Sequence, residues 1–474
     1  MSTNDLCFKS ATEQLRLIAT RQISCNELLE AHLRHIEAIN PLVNAIVTLV
    51  PERALKVASD LDQRLGRGEA VGPLAGLPVA HKDLFPTKGI RTTHGSRRYA
   101  QHVPDENALV VERLQQAGAV TIGKTNTPEW GAGSQTFNDV FGATLNPWDT
   151  SKTCGGSSGG AATALAARML PIADGSDMGG SLRNPASFCN VVGFRTSPGR
   201  VPAYPAAMGW FPLGVTGPMA RNVSDCALLL SAMAGPDSRS PIAIDTAGSL
   251  FREPLQRDFN NVRIAFSPDF DGQIPVATSV GTVIETASIV FDDLGLIVER
   301  GCPDFDGADQ AFKTLRAWSF AATHGDNVKA HPDLYKDTII WNVEQGLKLT
   351  GADISAAEEI RTALYHRVRK YMQTCEFLVL PVVQVPPFDI DIEWIREIEG
   401  TQMETYIDWM KSCYFISTLG LPAISVPCGF TDDGLPVGLQ IVGRHHADFS
   451  VLQLAHAFEQ ATMHLDRLPA ILAT

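Results

Sequence analysis

Two glycine-flanked serines and one lysine at the end of an apolar stretch are the residues best suited to chemistry. Gly155 to Gly160 reads Gly-Gly-Ser-Ser-Gly-Gly, and Ser181 follows 24 residues after Ser157, within Gly175-Ser-Asp-Met-Gly-Gly-Ser-Leu-Arg183. Upstream, Gly76-Leu-Pro-Val-Ala-His-Lys-Asp83 reads as a short strand that delivers Lys82 at its end, a common place for catalytic side chains. A serine hydroxyl is a weak nucleophile until a base takes its proton, and lysine can be that base only when neutral. The lysine pKa of about 10.4 would have to fall by roughly 3 units, about 4 kcal/mol of differential solvation. Burial among uncharged glycines and serines acts in that direction. A second serine can relay a proton, because a hydroxyl both donates and accepts. Glycines let backbone N–H groups approach a developing oxyanion, each supplying roughly 3 kcal/mol. Lys82, Ser157 and Ser181 could thus perform acyl transfer without a histidine.

The same residues admit other readings. Gly-Gly-Ser-Ser-Gly-Gly alone could be a flexible linker. Gly155-x-Ser157-x-Gly159 fits the nucleophile elbow of α/β-hydrolases, with Ser157 attacking and His445, His446 or His456 as base, but such an elbow must follow a buried strand and Leu145 to Cys154 is polar. Gly118 to Thr125 matches the letters of a phosphate-binding loop, yet Ala119 to Ile122 reads as strand and Pro128 stands where a helix should open.

The elements that must position these groups follow from periodicity. Leu15, Ile18, Leu28, Leu29, Leu33 and Ile36 predict two short helices between Thr12 and Ile39, broken at Gln22 to Ser24, with Ser24 as a cap. Helices are predicted at Ala108 to Gln116, Ala161 to Met169, Val280 to Leu294 and Ser355 to Met372. Strands are predicted at Ala119 to Gly123, Val262 to Phe266, Leu296 to Glu299, Phe377 to Pro381, Ala423 to Pro427 and Gly438 to Val442. Leu170 to Ala173 begins another strand, Gly175 to Pro185 reads as a glycine-rich turn, and Asn126 to Thr153 as a long irregular loop of the kind that carries function. The expected fold is α/β, a mixed β-sheet covered on both faces by helices.

With 474 residues, 45% hydrophobic and 19% charged, the chain has the composition of a soluble, well-buried enzyme. Its net charge of −13 and lack of basic runs argue against nucleic acid and polybasic membrane contact. Neither a secretory leader nor a bilayer-spanning run is visible, so a cytoplasmic location is expected. Nine scattered cysteines, without a C-x-x-C pair, predict neither a disulfide framework nor a zinc site.

The serine motifs, together with Gly76 to Asp83, Gly123-Lys-Thr-Asn-Thr-Pro-Glu129, Asn146-Pro-Trp148, Gly217-Pro-Met-Ala-Arg221 and Gly420 to Arg444, resemble the amidase signature family in that family's order. The resemblance spans nearly the whole chain, least between Gly235 and Cys375. It implies a single amidase domain, with an N-terminal helical segment (1–70), a signature core (71–235), a more variable helical elaboration (236–375) and a C-terminal part of the core (376–474). It implies that Lys82 is the catalytic lysine, Ser157 the bridging serine in a cis peptide, Ser181 the nucleophile, and Met178, Gly179, Gly180 and Ser181 the oxyanion loop. Asp177 and Arg183 would support that loop by hydrogen bonds, and Trp130, Gly131 and Ala132 would border the acyl pocket. Departures from the common pattern are Met178 for threonine, Asn184 for glutamine and His81 for an aliphatic residue.

What the resemblance implies for function is hydrolysis of a carbonyl–nitrogen bond through an acyl-enzyme on Ser181, with no metal and no cofactor. The expected partner is a small-molecule amide, a carbamate or hydrazide being equally cleavable, and a homodimer is left open. Trp130, Phe137, Trp210, Phe211, Trp318 and Trp341 suggest a hydrophobic or aryl substrate. The alternative is the glutaminase (A-type) subunit of a tRNA-dependent amidotransferase, although Gly214-Val-Thr-Gly-Pro218 lacks the Ser-Leu-Asp-Gln stretch typical of it.

Overall fold

Serine caps set the first helices. Ser10 and Ser24 each accept from the backbone N–H three residues on, and Glu13 and Glu27 bond back to the serine N–H. The helices Ala11–Ala19 and Cys25–Val43 form on either side of the break, as the sequence predicts. The computed structural model describes residues 3–472.

An eight-stranded sheet runs in the order Ile297–Arg300, Arg263–Phe266, Phe377–Pro381, Pro436–Gly443, Ala423–Phe430, Val192–Arg195, Val215–Ala220, Ile172–Asp177. Its first three strands are parallel and the remaining pairings antiparallel. Alternate residues of Phe377–Pro381 enter different cores. Phe377 and Val379 join Ile284, Phe291 and Val451, whereas Leu378 and Leu380 join Phe312, Leu364 and Tyr414. Helices therefore cover both faces, which explains why the central strands are continuous apolar runs.

A separate three-stranded sheet holds Ile46–Leu49, Val120–Thr125 and Pro78–Lys82, the last two parallel. Val120–Thr125 is a strand buried along its length, so Gly118 to Thr125 is a turn leading into a core strand and not a phosphate loop.

Several elements differ from expectation. Ile172–Asp177 continues through Gly175 and Ser176, because that stretch pairs residue by residue with Val215–Ala220. Asp177 thus ends a strand and does not sit in a turn. Val215–Ala220 was hidden by Gly217 and Pro218, residues normally depleted in strands. The loop between Asn126 and Thr153 contains one helical turn, Glu129–Gly131, and a short hairpin, Phe137–Asn138 with Gly142–Ala143. Among the described residues no helix is long and apolar enough to cross a membrane.

Candidate active site

Lys82 is the last residue of its strand, opposite Thr125. Asp174, on the edge strand of the large sheet, locks it there: Oδ1 accepts the Lys82 backbone N–H at 2.8 Å and Oδ2 accepts His81 Nδ1–H at 2.5 Å. His81, unusual before the lysine, is therefore a clamp between the two sheets. Lys82 Nζ meets three hydroxyls, donating to Ser157 Oγ at 2.7 Å, Ser158 Oγ at 2.9 Å and Ser176 Oγ at 3.1 Å. Hydroxyls accept from an ammonium and can equally donate to a neutral amine, so the cradle suits both protonation states. Burial pushes the lysine pKa down to about 7, against the pull of Asp177 and Asp174. Ser158 also starts the helix Gly159–Ala166, whose positive end disfavours a cation in the same direction.

The serine loops are fastened to one another. Gly156–Ser157 is a cis peptide bond. Ser134 Oγ donates to the Gly156 carbonyl at 2.8 Å and receives Asn184 Nδ2–H at 2.7 Å, while the Ser158 N–H donates to the Ser181 carbonyl at 3.1 Å. Asp177 organises the second loop, accepting the N–H groups of Gly180 at 2.9 Å and Leu182 at 3.2 Å. Arg183 grips it with two bonds of 3.0 Å, and Arg195 adds one of 3.2 Å. Burial pushes the Asp177 carboxyl up, but the Arg183 and Arg195 charges prevail and hold it well below the usual carboxylate range. All three side chains are fully buried. Asp177→Asn would leave two buried guanidiniums without their anion and is expected to destabilise the fold by about 3–5 kcal/mol. Denaturant unfolding measures this, and a loss under about 1 kcal/mol would mean that the carboxylate charge does not balance the pair.

One cavity of about 290 Å³ gathers Ser157, Ser176, Ser181, Trp130, Gly131, Met178 and Gly179 on its wall. The N–H groups of Gly179 and Ser181 have no protein acceptor among the described residues. Gly180 departs from the expected role in substrate binding: it is absent from the cavity wall and its N–H points to Asp177. Glycine is needed there because φ is +118° and a Cβ would lie 2.6 Å from Cys413 Cβ. Gly131, at φ +70°, lets the chain approach Ser157, since a Cβ would sit 3.2 Å from its Oγ. Trp130 stacks on His94, ring centroids 4.2 Å apart, and leans on His324 at 4.6 Å. Burial lowers these imidazoles to about 3 and about 4, so both are neutral near pH 7.

Of the other aromatic candidates, Phe211 lines the cavity and Trp318 stands behind it at 5.5 Å. Trp341 packs on Tyr406, Phe137 lies in the hairpin, and Trp210 is 77% exposed. Among the described residues no imidazole contacts Ser157 Oγ, whose side-chain partner is Lys82. Cys154 is buried with its thiol pushed up to about 12, and all nine cysteines are free.

Sequence reasoning missed Ser158 and Ser176, although both lie inside the quoted motifs, because spacing cannot tell which neighbouring hydroxyl faces the amine. It missed Asp174 and Arg195, which carry no local signal. It also missed Phe312, Arg316 and Phe320, which the helix Ala308–Ala330 presents to the cavity at four-residue spacing.

A family model described as Amidase matches residues 27–452. The chain is 36% identical to an acylamidase of Rhodococcus erythropolis, covering 99% of each chain. It is 34% identical to the A-type subunit of the glutamyl-tRNA(Gln) amidotransferase of Synechococcus sp. (strain CC9605), covering 97% of each. The structure matches that of a bacterial aryl acylamidase of the amidase signature family with a TM-score of 0.90 at 30% identity, over 97% of this chain and 98% of that one. With a family model spanning most of its length and relatives similar from end to end, the chain belongs to the amidase signature family.

Proposed function

We propose that this protein hydrolyses the carbonyl–nitrogen bond of small hydrophobic or aryl amides, through an acyl-enzyme on Ser181. The observation that carries this reading is a buried lysine whose pKa is lowered to about 7, held 2.7 Å from Ser157, with Ser157 and Ser181 on the wall of one cavity. In the proposed mechanism neutral Lys82 takes the Ser181 proton by way of Ser157, and Ser181 Oγ attacks the carbonyl carbon. The free N–H groups of Gly179 and Ser181 receive the oxyanion. The proton returns along the same path to the departing amine, and water then releases the acid. Carbamates and hydrazides pass through the same tetrahedral intermediate.

Similarity to a component of an amidotransferase supports a second reading, glutamine hydrolysis within a complex. Glutamine carries both an ammonium and a carboxylate, and would need a counter-charge for each. The charged residues on the cavity wall are Asp177, already held by two arginines, and Arg316. This favours substrates without an ammonium group. A panel of anilides, primary amides, carbamates and glutamine offered to the isolated protein decides between the readings. Arylamine release without any partner is expected, whereas ammonia from glutamine alone would replace this proposal with the second reading.

A further inference from the structure

The helix Ala308–Ala330 lays Phe312, Arg316 and Phe320 along the cavity wall, successive turns apart. Phe312 abuts the loop that carries Ser181, since a Cβ on Gly179 would lie 3.0 Å from its ring. Further along the helix, His324 packs on Trp130. Arg316 is therefore four residues, roughly 6 Å of helix rise, along the wall from the nucleophile's loop, towards Trp130.

Arg316 is only 6% exposed, and among the described residues no carboxylate pairs with it. Its two hydrogen bonds go to neutral acceptors, Asn342 Oδ1 and, at 2.6 Å, the Tyr406 hydroxyl. The guanidinium carbon lies over the rings of Phe320, at 4.4 Å, and Tyr406, at 5.4 Å. Of the five N–H groups a guanidinium carries, those two bonds leave three without a protein acceptor among the described residues. A buried cation without a counter-ion is unfavourable, and a planar fork of free donors is the geometry that receives a carboxylate through two parallel bonds.

We propose that Arg316 determines specificity by binding a carboxylate at the distal end of the substrate's acyl group, so that monoamides of dicarboxylic acids are the preferred substrates. The apolar stem of the acyl chain rests on Phe312, and the carboxylate closes on the guanidinium. This rests on the reading above in which Ser181 attacks and the acyl half lies beside Trp130.

The test compares two p-nitroanilides of equal acyl length, glutaryl and pentanoyl, which differ in a terminal carboxylate against a methyl group. The native protein is expected to favour glutaryl in kcat/KM. Arg316→Met is expected to lower the glutaryl-to-pentanoyl ratio on the order of 100-fold, and Arg316→Lys, which keeps the charge but not the fork, by about tenfold. Glutarate is expected to bind the native protein in calorimetry and not Arg316→Met. That binding is read without turnover, so it supports the subsite even if neither anilide is cleaved, an outcome that would count against the hydrolase reading alone. A native protein that neither binds glutarate nor favours the glutaryl anilide overturns the proposal, as does a ratio unchanged in both variants.

Discussion

Ser181→Ala is expected to lose roughly 10⁶-fold in kcat on an aryl amide, the scale seen when a serine nucleophile is removed. The fold should survive. Ser181 Oγ has no protein hydrogen bond among the described residues, and the contact that joins the two serine loops uses the Ser181 backbone carbonyl. Deleting the hydroxyl therefore leaves no buried partner unpaired, and the unfolding midpoint should move little. Ser157→Ala should lower kcat less, because Ser158 and Ser176 still hold the Lys82 amine at 2.9 and 3.1 Å. Near-normal turnover by Ser181→Ala, with activity lost only in Ser157→Ala, would identify Ser157 as the nucleophile instead.

Lys82→Ala is expected to abolish amide cleavage while sparing part of the activity on a matched activated ester. An amine leaves only after protonation, whereas a good alkoxide or phenoxide leaves without it, so loss of the proton carrier weighs more heavily on the amide. The same lysine should govern the pH profile. Its folded pKa is lowered to about 7 by burial, and the neutral form is the active base, so kcat/KM should rise as pH passes through about 7 and level off above it. A lysine at its ordinary value would place that rise near about 10. Steady-state rates for an amide and ester pair, measured from pH 5 to 10, check both statements. Equal losses on the two substrates would remove Lys82 as the proton donor.

Much of this arrangement was legible in the sequence, for reasons particular residues make plain. Lys82 could be placed at a strand end because Leu77 to Ala80 is apolar and Asp83 ends the run. The Ser24 cap and the break before it were readable because a capping box is a local device, complete within four residues. What escaped is non-local. Arg195 joins Asp177 from a strand 18 residues away, on the other side of Val215–Ala220 in the sheet order, and nothing in its own neighbourhood announces the pairing. The polar strand Ile172–Asp177 exists because Val215–Ala220 pairs with it, so pattern reading mistook its second half for a turn. Gly180 looked like an oxyanion donor because a glycine beside a nucleophile suggests close approach of a ligand, but its small size serves Cys413, and its N–H serves Asp177. Arg316 lies in the stretch that least resembles the family, where helical periodicity says which faces are buried and not that one of them borders a cavity.

The proposed hydrolysis depends on attack by Ser181 with Lys82 as its neutral base. Peptide mapping by mass spectrometry after reaction with a fluorophosphonate, repeated across pH, tests it most directly. A single adduct on Ser181 is expected, formed at a rate that rises through about pH 7 in the native protein and collapses in Lys82→Ala. An adduct on Ser157, or labelling of Ser181 that is indifferent both to pH and to the loss of Lys82, would contradict it.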